Sequence, residues 1–382
     1  MSYLMAIGTQ KGLFTAVSTD RKSWEVTGPH RIDPVGFLSI AEIYAVGISP
    51  HTKRILVGAG SSHYGPSVWH SDDLGNTWHE PEAAPIAFPQ DLPYRKMGYP
   101  GEAQYDDPDS DEGNALTRVW QLAFGPDANR VYAGTEPTAL FVSDDEGLSF
   151  TLNRALWNHP TRDTWASGGG GPAIHTVVPD PSDADSVTIA MSTGGVYQTE
   201  DGGRSWEAVS KGIQFDPDAP DPYPASGQCV HKVTRDGAGV FYAQNHGGVY
   251  RSDEPRKGWT AVDEGLPSDF GFAMVGHPHR AGTALQFPVV SGERRFPPDE
   301  RLQVQRTDDG GKTWRSVSAG LPENPYYGIV LRDAANTDFA DDPGFYFGTR
   351  TGDVFASTDS GERWHQVAAN LPDVLCVRAA EV

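Results

Sequence analysis

Short apolar runs broken by turn residues make up almost the whole chain. Tyr3 to Gly8, Ile43 to Ser49, Val131 to Thr135 and Phe345-Tyr346-Phe347 are rich in β-branched and aromatic residues. Clusters of Gly, Pro, Asn and Asp separate them. That pattern predicts strands. No segment carries a convincing 3.6-residue period, so no helix is expected.

The runs come in sets of four. An apolar strand A ends in a turn, strand B follows, and strand C leads into a polar octet. Strand D closes the set near Gly-Leu-Pro. In the second set strand A is Ile43 to Ser49, strand B Arg54 to Gly58 and strand C Ser67 to His70. The third runs from Arg118 through Val131 to Thr135 and Leu140 to Val142. Later sets begin at Ala173, Gln228, near Phe270 and near Tyr326.

The octet is Thr307-Asp308-Asp309-Gly310-Gly311-Lys312-Thr313-Trp314. Whole copies recur at Ser71 to Trp78, Ser143 to Phe150, Thr199 to Trp206 and Ser357 to Trp364. Worn copies lie at Ser18 to Trp24 and Ser252 to Trp259. Its chemistry is that of a turn. An Asp carboxylate can accept nearby backbone N–H groups, glycine supplies positive φ, and the aromatic residue fills the gap between sheets. A structural role is therefore expected for all seven. The consensus Ser/Thr-x-Asp-x-Gly-x-Ser/Thr-Trp/Phe resembles the Asp-box, or BNR, repeat of sialidase-like β-propellers. In those families the box lies on the face away from the active site.

Units of roughly fifty residues that cannot bury a core alone should stack into one body. The chain enters at a strand B, Tyr3 to Gly8, and ends with a spare strand A, Val374 to Ala379. Joined, these complete blade 1 and remove the exposed edges. The expected fold is all-β: one seven-bladed propeller domain spanning 1–382, closed by strand 374–380. The A–B turns and the boxes should share one face. The long insertions should decorate the other: His79 to Leu116, Asn153 to Pro172, Lys211 to Gly227 and Val290 to Arg301. Loops on a rigid scaffold carry function.

Composition narrows the partners. A net charge of −21 argues against a nucleic acid held by its phosphates, and against an anionic membrane surface. No long apolar stretch occurs, and the beginning Met-Ser-Tyr-Leu-Met-Ala-Ile-Gly lacks a basic leader. A cytoplasmic protein is expected. The two cysteines, Cys229 and Cys376, fall on different blades and are expected to be free thiols.

Candidate chemistry gathers on the decorated face. His63, His175, His231 and His246 come from B–C loops or strand A entrances. Three imidazoles with an open position would suit a divalent transition metal; the alternative is a metal-free polar pocket. Glu42 and Glu136 are the carboxylates placed for acid–base work, with His231 as a third catalytic candidate. Arg118, Lys232 and Arg350 would bind an anionic group. Trp120 and Tyr326 offer stacking surfaces, and Gln228 and Asn245 add polar contacts. His277-Pro278-His279 falls on the plain face and is set aside. The run Gly168 to Gly171 leads into a strand and lacks the Lys-Ser/Thr of a phosphate loop, so it should allow close backbone approach. The acidic run Asp106 to Gly113 departs from calcium-loop spacing.

The chain also resembles bacterial WD40/YVTN/BNR-like repeat proteins. Xyloglucanase-type glycoside hydrolases, sortilin-type receptors and photosystem II assembly-factor propellers are similar in type. No Arg-Ile-Pro motif occurs, so no sialidase residue is carried over. A propeller hosts hydrolases, lyases and binding proteins alike. Two readings follow: a small-molecule or carbohydrate-active protein, of hydrolase or lyase type if an enzyme, or a non-catalytic interaction scaffold. Oligomeric state is not legible.

Overall fold

A computed structural model describes residues 2–32, 41–61, 65–81, 85–96, 105–110, 112–166 and 171–382. It is a seven-bladed β-propeller. Blade 1 runs in the order Val374–Glu381, Tyr3–Thr9, Gly12–Ser18, Glu25–Thr27, so the two chain ends pair antiparallel as expected. Six sheets have four strands; blade 2 has Glu42–Ile48, Ile55–Ser61 and Gly65–Ser71, extended by a bridge between His70 and His79. The innermost strands of blades 3 to 7 are Arg118–Phe124, Ile174–Pro179, Val230–Arg235, Gly271–Gly276 and Ala335–Thr337. Tyr326 precedes the last of these by nine residues, so the seventh blade begins later than its apolar pattern suggests.

The octets fold as local turns. In the blade 6 copy Thr307 Oγ1 donates to Asp309 Oδ1 at 2.9 Å and accepts Gly311 N–H at 2.8 Å. Asp309 Oδ1 accepts Thr313 N–H at 2.9 Å, and its Oδ2 accepts the Thr313 hydroxyl at 2.7 Å. Gly311 has φ +87°, and a Cβ there would strike Val262. The same bonds recur around Asp73, Asp145 and Asp201. Three of the indoles then cross to the preceding blade. Trp364 donates to the Val317 carbonyl at 2.8 Å, Trp314 to Val262 at 2.7 Å and Trp259 to Val209 at 2.7 Å. These turns satisfy their own backbone, and in blades 5, 6 and 7 the indole also fastens the blade to the one before.

Helix is sparse but present. The second insertion holds one four-residue α-turn, Arg154–Trp157, capped by Asn153, whose side chain accepts Leu156 N–H at 2.9 Å. Too short to show a period, it escapes sequence reading. Within the first insertion Tyr94–Lys96 pairs with Tyr105–Asp107, and Asp106 of the acidic run takes both nitrogens offered by Arg95, at 2.7 and 2.9 Å. Among the described residues, no helix is long and apolar enough to cross a membrane.

Candidate functional site

The inner strands share one irregularity. Near the loop-bearing end of most of them the register slips, leaving residues outside the regular pairing. In blade 2 the residue is Tyr44, in blade 3 Trp120, in blade 4 His175 and in blade 5 His231. In blade 6 the slip takes in Phe272 and Ala273. Bulges re-aim side chains and are common beside sites. Here they set a ring of aromatic and imidazole groups around the propeller mouth.

Two polar groupings flank this ring. In the first, Arg118 lies over the Tyr44 ring at 4.1 Å and the Trp120 ring at 5.1 Å. Its Nη1 donates to Glu136 Oε2 at 3.1 Å, and its Nη2 lies 3.6 Å from Glu42 Oε2. The Trp120 indole also donates to Glu136 Oε2, at 2.9 Å. One guanidinium therefore lies against both carboxylates, and a pair of carboxyl groups is what cleavage of a glycosidic bond uses. Burial raises the Glu136 carboxyl above its usual range, against the lowering effects of Trp120 and Arg118. Glu42 is the more accessible of the two. Gly171, with φ +88°, packs so closely on Glu136 that a Cβ would collide with its carboxylate. That is the close approach expected of the glycine run, though Gly168 to Gly170 lie outside the described residues.

The second grouping belongs to blade 5. Cys229, His231 and His246 each bring a donor atom within 4.8 Å of the other two. Cys229 is half-buried, His231 buried and His246 exposed. His231 Nδ1 is 2.6 Å from the Gly271 carbonyl, and its ring stacks on Phe272 at 4.8 Å between centroids. Burial by itself would raise the Cys229 thiol; hydrogen bonds to the two imidazoles, and their charge, hold it well below the ordinary range. Between the groupings stands Arg332, 5.9 Å from the Trp120 ring and 5.3 Å from the Phe272 ring. Its Nε is buried without a hydrogen-bond partner among the described residues.

The remaining candidates separate. Lys232 is buried, and its Nζ donates to Asp333 Oδ1 at 2.9 Å. Asp333 also takes Gln121 at 3.1 Å and Arg378. Burial alone would raise the Asp333 carboxyl, yet Arg378 and Lys232 hold it below the usual range. This network lies one residue beneath the Cys-His grouping along the strands. Below it a cavity of about 760 Å³, lined by all seven inner strands, opens toward the plain face. His175 is buried, with Nδ1 3.1 Å from Thr176 Oγ1 and Nε2 unpartnered among the described residues; the metal-donor grouping does not include it. His63 lies outside the described residues.

Gln228 is fully buried and donates to the Ile213 and Pro224 carbonyls, clamping the third insertion. Asn245 donates to Gln214 O and accepts Gly247 N–H, both at 2.7 Å, which fixes the turn carrying His246. Tyr326 donates to Asp353 Oδ2 at 2.6 Å. Arg350 is exposed and paired with Asp373 at 2.7 Å. Sequence reasoning missed Tyr44, Arg332 and above all Cys229. The signal for Cys229 was its spacing, two residues before His231 where the chain enters the strand Val230–Arg235.

No family model matches the chain. In an alignment of 253 positions that covers 57% of this chain, it is 26% identical to an oligoxyloglucan-reducing end-specific xyloglucanase of Emericella nidulans. That match spans only 30% of the relative's own length. A GH74 enzyme of Niastella koreensis superposes with a TM-score of 0.55 at 14% identity, covering 97% of this chain and 65% of the enzyme. YCF48 bound to a D1 peptide superposes with a TM-score of 0.51 at 14% identity, covering 85% and 82%. The structural matches establish a shared propeller fold, and the sequence match points to a distant carbohydrate-active relative.

Proposed function

We propose that the protein is a carbohydrate-active propeller of hydrolase type, binding a sugar-like ligand across the mouth on the loop-bearing face. The observation that carries this reading is the Glu42–Arg118–Glu136 arrangement beside Tyr44 and Trp120. Aromatic faces suit the C–H faces of sugars, and carboxylates accept their hydroxyls. Glu136, raised by burial, suits the general acid. Glu42, nearer to water, suits the base or nucleophile. Arg118 holds the two apart and orients them. His231 lies buried across the mouth near Arg332, and would act on a ligand through its neighbours rather than by direct contact. The distant xyloglucanase relative supports the same substrate class.

The octet turns and their indole stitching support membership of the Asp-box (BNR) group, and the paired chain ends support one domain spanning 1–382. Two free cysteines support a reducing, cytoplasmic setting.

The test is a screen of xyloglucan and other β-glucan oligosaccharides for reducing-end release and for binding. Glu136→Gln should lower kcat by about a hundredfold or more, and Trp120→Ala should weaken binding. Should no oligosaccharide bind or be cleaved at millimolar concentration, the reading fails and the interaction scaffold takes its place.

A further inference from the structure

The blade 5 grouping goes beyond that reading. We infer that Cys229, His231 and His246 form a three-ligand site for a thiophilic divalent transition metal ion such as zinc, leaving a fourth position open toward Arg332 for an anionic ligand. A thiolate and two imidazoles form a borderline-soft donor set of the kind that zinc takes, and three protein ligands with one vacancy mark an open zinc site.

Geometry supports each donor. The Gly271 carbonyl, 2.6 Å from His231 Nδ1, accepts that nitrogen's proton and leaves Nε2 with its lone pair free. A carbonyl behind a ligating histidine is the usual outer-shell device for fixing tautomer and orientation. Asn245 immobilises the Asn245–Gly248 turn from both sides, so His246 is positioned by backbone. His231 and His246 meet edge to face, with ring centroids 4.7 Å apart. Donor separations within 4.8 Å are slightly wider than the roughly 3.5 Å expected around zinc at ordinary bond lengths. Metal binding would draw the donors inward by that difference, most freely at the exposed His246. Phe270 and Phe272 wall the site on one side, at 5.2 and 4.8 Å from His231, and limit water. The guanidinium of Arg332, with its buried unpaired Nε, supplies the positive charge that an anionic fourth ligand would meet.

Full-length protein stripped with a chelator and titrated with cobalt(II) should show one equivalent bound, with a thiolate-to-metal charge-transfer band. Cys229→Ser should abolish that band. His246→Ala, at an exposed position whose loss leaves the fold intact, should weaken zinc binding more than about tenfold in competition with a chromogenic chelator. Zinc alone should also protect the protein from a thiol reagent, since Cys376 is fully buried and only Cys229 is open to attack. Zinc affinity unchanged in both variants, or a Cys229 thiol that reacts equally fast with and without zinc, would overturn the assignment. None of these measurements involves a sugar, so the metal site and the carbohydrate reading fail or stand separately.

Discussion

Removing the Asp333 carboxylate is the sharpest perturbation of the propeller axis. Asp333 is 5% exposed, and it neutralises Lys232 and Arg378, which reach it from blades 5 and 1. Asp333→Ala would leave a buried ammonium and a largely buried guanidinium facing each other with no anion between. Breaking a buried pair by deleting one partner costs about 3–5 kcal/mol, chiefly because the surviving charge stays desolvated. An unfolding entropy of about 2 cal/mol/K per residue, over a chain of this length, converts that loss to a Tm drop of about 4–6 °C. Guanidinium-chloride unfolding followed by tryptophan fluorescence, together with calorimetry, reads both quantities. The triple variant Asp333→Leu/Lys232→Met/Arg378→Met, which removes both cations with their anion, should recover much of the loss, since matched apolar replacement of a buried ionic group is often neutral. A single variant within about 1 kcal/mol of the parent would refute the reasoning. It would mean that water reaches the axis and that Lys232 is free to serve a ligand.

Trp364→Ala should cost about 3–5 kcal/mol, because the indole is 2% exposed and bonded to the neighbouring blade; chemical denaturation checks it. Gly171→Ala should lower stability and oligosaccharide binding together, since its Cβ would push on Glu136 at an already left-handed backbone position; thermal shift with and without ligand separates the two effects. Stability should be lost in two stages as the pH falls, readable by chemical denaturation followed by circular dichroism at a series of pH values. His277, held down to about 4 by burial, contributes stability that is complete above pH 6.5 and lost as the pH falls toward 4. Asp73, lowered to about 2 mainly by Thr77, contributes stability that is complete above about pH 4 and lost as the pH falls through 2. Asp73→Asn should remove part of the second stage and leave the first.

The repeat was legible because its bonds are local. Thr307, Asp309, Gly311 and Thr313 satisfy one another within eight residues, so composition alone specifies the turn. Ring closure was legible from the spare strands at the two ends. The site was legible only in part. Glu42, Glu136, Arg118 and Trp120 come together much as their positions at strand tops suggest. Lys232 looks like a ligand contact in the sequence because its partner Asp333 is 101 residues away and nothing local announces the pairing. Tyr326 looks like a stacking surface in the sequence, whereas its hydroxyl is bonded to Asp353. Cys229 looks like an isolated free thiol in the sequence because its partners come together only once the turn bearing His246 folds over the strand bearing His231.

The slipped residues of the inner strands have an evolutionary corollary. Tyr44, Trp120, His175 and His231 stand outside the regular ladder at matching places in successive blades. Exchanging one for another would disturb few of the pairings that hold its blade. The mouth therefore behaves like a set of interchangeable sockets, each open to a new side chain while the scaffold beneath stays constant. Chemistry can be revised blade by blade, and duplicated repeats become a means of sampling sites instead of only a means of building a ring.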